Sequence, residues 1–288
     1  MTIRNPIEWG VDQFKYTFLG MESASSGLLP ADAERRLPLP NVRRITVADL
    51  RDVLVRGADD FGANRTDVIF LCVIYPMIGL VLASLAAGYH MLPLLFPLAS
   101  GFALVGPFVG VGLNEISRRR ELGISQGWSD AFRVLSSPSL GAILLLGLAL
   151  TAVFFSWLVT AYAIYDLTMG PRLADSPGAF IHDILLTGAG WAMIILGIGV
   201  GFLFAAVVLV TSVVAFPLLL DRSVGIEVAV RTSVQATVVN PGPVFIWGLI
   251  VAAGLVVGSI PVFVGLIVVL PVLGHSSWHL YRKIVAPL

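Results

Sequence analysis

The sequence predicts an all-α, polytopic membrane protein with six transmembrane helices, arranged as three repeats of an interfacial amphipathic helix followed by a helical hairpin. Three observations predict this fold class. Hydrophobic residues make up 57% of the 288 residues and charged residues 12%, whereas an average soluble domain has about 25% charged residues. Four long intervals of the chain contain no Asp, Glu, Lys or Arg. The same order of elements also recurs three times along the chain.

The N-terminal region divides into two parts. Residues 1–22 predict a short amphipathic helix, which could lie on a lipid surface or bind a partner protein, because apolar residues recur at spacings of three and four: Ile3, Ile7, Val11, Phe14 and Phe18. We expect no cleaved leader, since this segment has no continuous apolar core. Prolines and small polar residues then predict an extended linker over residues 23–44.

The first interfacial helix begins after Thr46. Thr46 and Asp49 have the spacing of a capping box, which predicts the start of a helix. The sequence places Val47, Leu50, Leu54 and Phe61 on its apolar side. The opposite, water-facing side is expected to carry Arg51, Asp52, Arg56, Asp59 and Asp60.

The charge-free intervals define the spans. They cover residues 68–114, 134–165, 184–220 and 232–281. Because one span needs about 20 apolar residues, the first and last intervals predict helical hairpins and the middle two predict single helices. The predicted spans are 67–87, 92–117, 139–164, 188–218, 242–258 and 261–282.

Basic residues predict the orientation of the chain. Of the 18 Lys and Arg residues, all except Arg172 fall on the same side of these spans. By the positive-inside rule both termini should face the cytoplasm, which for a bacterial chain means a multi-pass protein of the inner membrane.

An internal repeat divides the membrane domain, residues 45–284, into segments of about 45–120, 124–222 and 223–284. The predicted interfacial helices are TVADLRDVLVRGADDF, WSDAFRVLSS and GIEVAVRTSVQATVV. Each outbound span contains a proline, namely Pro107, Pro217 or Pro271. An ungapped alignment of the first and third outbound spans matches Pro107 with Pro271, Gly110 with Gly274, and Arg118 with Arg282.

Several motifs resemble a known family. FLCVIYPMIGL, LLFPLASGFALVGPF, FPLLLDR, WGLIVA and VLPVLGHSSWHLYRK are similar to a bacterial family of integral membrane proteins catalogued as a domain of unknown function. Some of its members are labelled as cytochrome c oxidase subunits. The resemblance, from about Val42 to Lys283, implies a fold and a location and no activity. The four histidines of the chain are too few for the catalytic subunit of such an oxidase.

His275 and His279 are the most suggestive residues for chemistry. Their i, i+4 spacing places both rings on one helix face, and imidazole is a ligand for zinc, copper or haem iron. The alternative, which the sequence favours, is a pair of interfacial histidines near water, with Trp278 and Tyr281 as headgroup anchors. A third possibility is a polar contact of these histidines with a lipid or a partner protein. We also predict a polar cluster at the cytoplasmic face, formed by Glu115, Asp221 and His279.

Two classes of function remain. The sequence contains no catalytic constellation, phosphate-binding loop or nucleic-acid motif, so we expect neither an enzyme, nor a cofactor, nor a nucleic-acid partner. The favoured hypothesis is a non-catalytic accessory subunit or assembly factor of a larger membrane complex, with respiratory complexes as candidates, bound through the N-terminal segment. The alternative is a small transporter or lipid-handling protein; ion-coupled carriers usually place ionisable groups at mid-membrane depth, and the charge-free intervals contain none.

Overall fold

The structure of the chain is a computed structural model. It describes residues 39–63, 77, 84, 92–124, 128–170, 176–261 and 263–287. The predicted N-terminal helix of residues 1–22, most of the predicted linker, the predicted first span of residues 67–87 and Arg172 lie outside the described residues.

The described part is helical. Its α-helices are α1 (Val47–Ala63), α2 (Leu95–Val109), α3 (Val111–Glu121), α4 (Leu140–Met169), α5 (Pro177–Leu186), α6 (Gly188–Ser212), α7 (Ala215–Asp221), α8 (Ile226–Val239), α9 (Pro241–Ser259) and α10 (Leu266–Ile284). Two 3₁₀ helices, Leu92–Leu94 and Trp128–Ser136, precede α2 and α4. The second of these corrects the sequence prediction, which expected an amphipathic α-helix at residues 128–137. It packs against α3.

Four helical runs of the described chain are long and apolar enough to cross a membrane. They are Phe96–Glu121, Leu140–Met169, Gly188–Asp221 and Pro241–Ser259, and they correspond to the second to fifth predicted spans. The helix α10 is present, but it starts at Leu266 and is not among these four. The set of six spans therefore stays a prediction.

Two outbound helical runs are interrupted close to their prolines. The run Phe96–Glu121 breaks at Gly110, three residues after Pro107. The run Gly188–Asp221 breaks at residues 213–214, just before Pro217. A proline lacks the N–H that the helical ladder requires and its ring crowds the preceding turn, which accounts for the break at residues 213–214, before Pro217. The other break follows Pro107 and falls at Gly110, a residue type that weakens helices. Pro271, in contrast, lies inside the continuous helix α10.

The helix α1 is capped as predicted and packs against α10. Asp49 Oδ2 accepts hydrogen bonds from the N–H of Thr46, at 2.8 Å, and from its hydroxyl. Gly57 permits the close approach of the two helices, because a Cβ atom there would lie 2.8 Å from both Ser276 N and Val272 O. The predicted faces of α1 are wrong at two positions: Val47 is 50% exposed and Asp60 is buried.

The chain on either side of the membrane domain is joined by backbone pairing. Val42 and Val285 form an isolated antiparallel bridge, and Arg43 N–H donates to Ile284 O at 2.7 Å. Buried Asn240, between α8 and α9, accepts a hydrogen bond from Ile45 N–H and donates one to Arg43 O. The last residues of the predicted linker are therefore fixed against the C-terminal end of α10.

The main hydrophobic core lies where the C-terminal parts of the predicted outbound spans meet. The helices α3, α7 and α10 contact one another there. Its largest fully buried side chains include Trp278, Tyr281 and Phe216. The assignment of Trp278 and Tyr281 as headgroup anchors is consequently wrong, because their rings pack inside the protein, 5.4 Å apart between centroids.

Candidate functional site

A network of buried polar side chains joins α1, α3 and α10. At its centre, Asp60 of α1 accepts a hydrogen bond from Ser117 Oγ at 2.5 Å. Arg120 Nη1 donates to the other oxygen of the same carboxylate at 2.6 Å. Ser117 and Arg120 both reach Asp60 because residues three apart lie on the same face of a helix.

Both histidines of α10 belong to this network. His275 Nδ1 lies 2.8 Å from Ser117 Oγ, and His279 Nε2 lies 2.8 Å from Asp60 Oδ2. The i, i+4 spacing thus places both rings on one face, as the sequence predicts. The expectation that both lie near water is wrong for His275, which is fully buried, and only a small part of the His279 side chain is exposed.

The hydrogen bonds assign the proton positions. Burial alone would raise the pKa of Asp60, but hydrogen bonds from His279 and Ser117 outweigh it and hold this pKa below its ordinary value. Asp60 is therefore an ionised carboxylate that only accepts hydrogen bonds. Since the single hydroxyl proton of Ser117 is donated to Asp60, His275 must donate from Nδ1 to Ser117, and His279 must donate from Nε2 to Asp60.

This proton arrangement differs from that of an activated serine. A serine nucleophile donates its proton to the base that activates it, whereas the Ser117 hydroxyl donates to Asp60 and accepts from His275. The network holds three helices together through charged and neutral hydrogen bonds, which are worth more in a buried site than in water.

The hypothesis of a histidine metal site, which the sequence did not favour, concerns the pair His275 and His279. Among the described residues, no group of three or more His, Cys, Asp or Glu side chains has an arrangement that could hold a metal ion. His275 and His279 instead contact Ser117 and Asp60.

The three residues of the predicted polar cluster have different partners. Glu115 forms a two-bond ion pair with Arg118, Asp221 accepts from Tyr281 Oη at 2.6 Å, and His279 contacts Asp60. Arg282 lies close to two carboxylates, 2.7 Å from Glu121 and 3.8 Å from Asp221. Whether Glu115, Asp221 and His279 act as one functional unit stays a prediction.

An open cleft of about 370 Å³ lies beside the buried network. It is lined by Arg56, Asp60, Ser117, Arg120, Glu121, His279, Arg282 and Lys283.

Sequence analysis missed the central residue of the network. Asp60 continues the stripe of Leu50, Val53 and Gly57, at the spacings i, i+3, i+7 and i+10 that define one helix face. A carboxylate on an otherwise apolar helix face was the sequence signal for a buried polar site. The prediction did not use it, because it assigned Asp60 to the water-facing side of the helix.

Part of the chain matches a known protein family. Residues 95–221 match the family model DUF2189, described as a predicted integral membrane protein. We call residues 95–221 the DUF2189 segment because they match this family model. The resemblance to an integral membrane protein family of unknown function is therefore confirmed. No curated protein and no solved structure matches the chain.

The DUF2189 segment coincides with structural boundaries. It starts at Leu95, the first residue of α2, and ends at Asp221, the last residue of α7. It includes Glu115, Ser117 and Arg120, while Asp60 and both histidines of the network lie outside it. The buried network thus joins the DUF2189 segment to the helices before and after it.

Proposed function

We propose that the protein is a non-catalytic accessory subunit or assembly factor of a larger complex in the bacterial inner membrane, with respiratory complexes as candidates. In this proposal it spans the membrane six times, in three repeats, with both termini in the cytoplasm. The N-terminal segment of residues 1–22 offers a second contact with the partner complex.

The surface of α6 is the observation that carries this proposal. Only 6% of the most apolar part of the run Gly188–Asp221 is buried within the chain, compared with 33% for Leu140–Met169. A Cβ atom added at Gly197 or Gly199 would meet none of the described residues within 4 Å. Small residues on an exposed transmembrane face allow a partner helix to approach closely, so this face suits a neighbouring membrane protein.

The proposed repeats receive support from the helix crossing near Gly110. The alignment pairs Gly110 with Gly274, and a Cβ atom at Gly110 would lie 3.9 Å from Gly274 Cα. A Cβ atom at Gly274 would lie 2.4 Å from Leu113 Cδ1. Matching residues of the first and third repeats therefore lie at the same crossing point, as a pseudo-symmetric arrangement requires.

Ionisable groups argue against the transporter alternative. Coupled carriers usually need ionisable groups at mid-membrane depth. Among the described residues, the buried charged side chains are Asp60 and Asp130, which lie outside the candidate spans, and Glu115, which lies six residues from the end of the run Phe96–Glu121.

The test is affinity purification of the full chain after extraction in mild detergent. We expect stoichiometric membrane protein partners to co-purify with the wild type, and to be lost from Gly199→Leu, which fills the open face. Ile195→Leu is the matched control, because it alters an exposed α6 position that already carries a large side chain. A lone monomer carrying lipid or solute would contradict the proposal and favour the alternative.

A further inference from the structure

The open cleft between α1, α3 and α10 is lined by more cations than carboxylates. Four cationic side chains line it, namely Arg56, Arg120, Arg282 and Lys283, together with the two carboxylates Asp60 and Glu121. Three carboxylates outside the lining also pair with these cations: Asp49 and Asp52 with Lys283 at 3.2 and 3.0 Å, Asp52 with Arg56 at 3.2 Å, and Asp221 with Arg282 at 3.8 Å.

The cations are held in place by groups behind or beside them. Arg120 contacts Asp60 through Nη1, while 38% of its side chain remains exposed. The Arg282 guanidinium pairs with Glu121 and lies 6.0 Å from the centre of the Trp278 ring. Such contacts fix the orientation of a guanidinium and reduce the entropy lost when it binds an anion.

The position of the cleft adds a second argument. Arg120 and Glu121 end the run Phe96–Glu121, one of the helical runs that could cross a membrane. The end of a span lies at the level of the lipid headgroups. Basic pockets between helices at this level have the chemistry that recognises anionic headgroups, and the planar fork of arginine matches the oxygens of a phosphate.

We propose that this cleft binds a phosphate-bearing anion. The phosphate of an anionic phospholipid and a soluble phosphate compound offer the same group, and the two sources can be distinguished by experiment. The site does not depend on the proposed accessory role, because it involves none of the exposed α6 residues.

The lipid arm uses the full chain in nanodiscs of phosphatidylcholine with a minor fraction of phosphatidylglycerol. Native mass spectrometry then counts the phosphatidylglycerol molecules that stay bound. Arg56→Gln and Arg120→Gln are the cleft variants, and each is expected to weaken retention about fivefold. Arg133→Gln and Arg231→Gln are the controls, because these arginines pair with Asp130 and Glu227 and do not line the cleft.

The soluble arm uses phosphatidylcholine nanodiscs and inorganic phosphate, with the unfolding temperature as the readout. Arg56→Gln keeps the result interpretable, because it removes only an exposed pair with Asp52 and leaves the buried network intact. Selective loss of phosphatidylglycerol from the cleft variants supports a headgroup site. If inorganic phosphate raises the unfolding temperature of the wild type and this increase is lost in the cleft variants, the same site binds a soluble ligand. Equal losses in cleft and control variants, or no binding by the wild type, would overturn the proposal.

Discussion

Ser117 and Asp60 are 57 residues apart in the chain, and the Ser117 hydroxyl donates a 2.5 Å hydrogen bond to the Asp60 carboxylate. This contact joins α3, the end of a candidate span, to the amphipathic helix α1. His275 and His279 extend it to α10. The polar network is thus an internal connection between the DUF2189 segment and both flanking regions.

Replacing Asp60 should destabilise the protein strongly. The Asp60→Ala variant leaves Ser117, Arg120 and His279 without their shared acceptor, and the loss of one partner from a buried charged network costs about 3 kcal/mol. We expect a clear drop in the unfolding temperature in detergent, measured by scanning fluorimetry. Asp59→Ala is the matched control, since Asp59 is the exposed neighbour on the same helix; an equal drop in both variants would contradict the network's role.

Gly57→Ala should separate α1 from α10. The new Cβ atom would lie 2.0 Å from Ser276 Oγ and 2.8 Å from two backbone atoms of α10, so a side-chain rotation cannot relieve the clash. We expect a destabilisation of about 1–3 kcal/mol. The control is Gly62→Ala on the same helix, where a Cβ atom meets nothing within 4 Å. It should be neutral or stabilising by up to about 1 kcal/mol, and the same loss at both positions would rule out a steric cause.

The sequence predicted helix positions better than it predicted faces and partners. Charge-free intervals and Pro or Gly breaks placed the second to fifth spans within a few residues, because span length and helix termination are local properties. The stripe of Leu50, Val53 and Gly57 could have placed Asp60 on the buried face of α1, but its partners on α3 and α10 depend on tertiary packing, which no local pattern specifies. Likewise, a tryptophan near the end of an apolar helix is typical of an interfacial anchor, but tertiary packing places Trp278 in the core.

Asn240 should anchor the segment before α1. Its side chain accepts from Ile45 N–H at 2.8 Å and donates to the carbonyl oxygens of Arg43 and Ala236. Asn240→Ala leaves the partly buried Ile45 N–H and Arg43 carbonyl without this partner, which costs about 1 kcal/mol, and should increase proteolysis near residues 39–46. Asn240→Asp keeps the acceptor and should show a smaller effect on cleavage. Thr237→Ala, which removes only a hydrogen bond within α8, should leave the cleavage rate unchanged.

His275→Ala should destabilise the protein, in contrast to the expectation from sequence that this residue lies near water. The ring is fully buried, and its removal leaves a cavity and removes the hydrogen bond that Ser117 accepts, at a cost of about 2 kcal/mol or more. His182→Ala, at a histidine that is mostly exposed, should not change the unfolding temperature. Similar stability of both variants would show that the buried contact contributes little.

Metal analysis of the purified protein tests the hypothesis that His275 and His279 bind a metal ion. We expect iron, copper and zinc well below one ion per chain, because His275 and His279 hydrogen-bond to Ser117 and Asp60. A stoichiometric metal that is lost from the His275→Ala, His279→Ala double variant would contradict this expectation.

The contacts of Asp49 predict an acid-dependent step in stability. Its pKa is lowered to about 2, first by the hydrogen bond from the Thr46 N–H, then by the Thr46 hydroxyl and Lys283. In the unfolded chain an Asp has a pKa of about 3.9. A lowered pKa means that the stabilisation is complete above about pH 4 and is lost as the pH falls towards 2.

The measurement is the unfolding temperature between pH 5 and pH 2. We expect it to fall less steeply in Asp49→Asn than in the wild type, because the amide cannot be protonated in this range. Lys283→Gln should show the same trend to a smaller extent, since Lys283 also lowers the pKa of Asp52. The control is Val55→Ala, at an exposed position of the same helix without a titratable group, which should retain the wild-type slope. If Asp49→Asn also retains that slope, proton uptake at Asp49 is not the cause of the acid-dependent loss of stability.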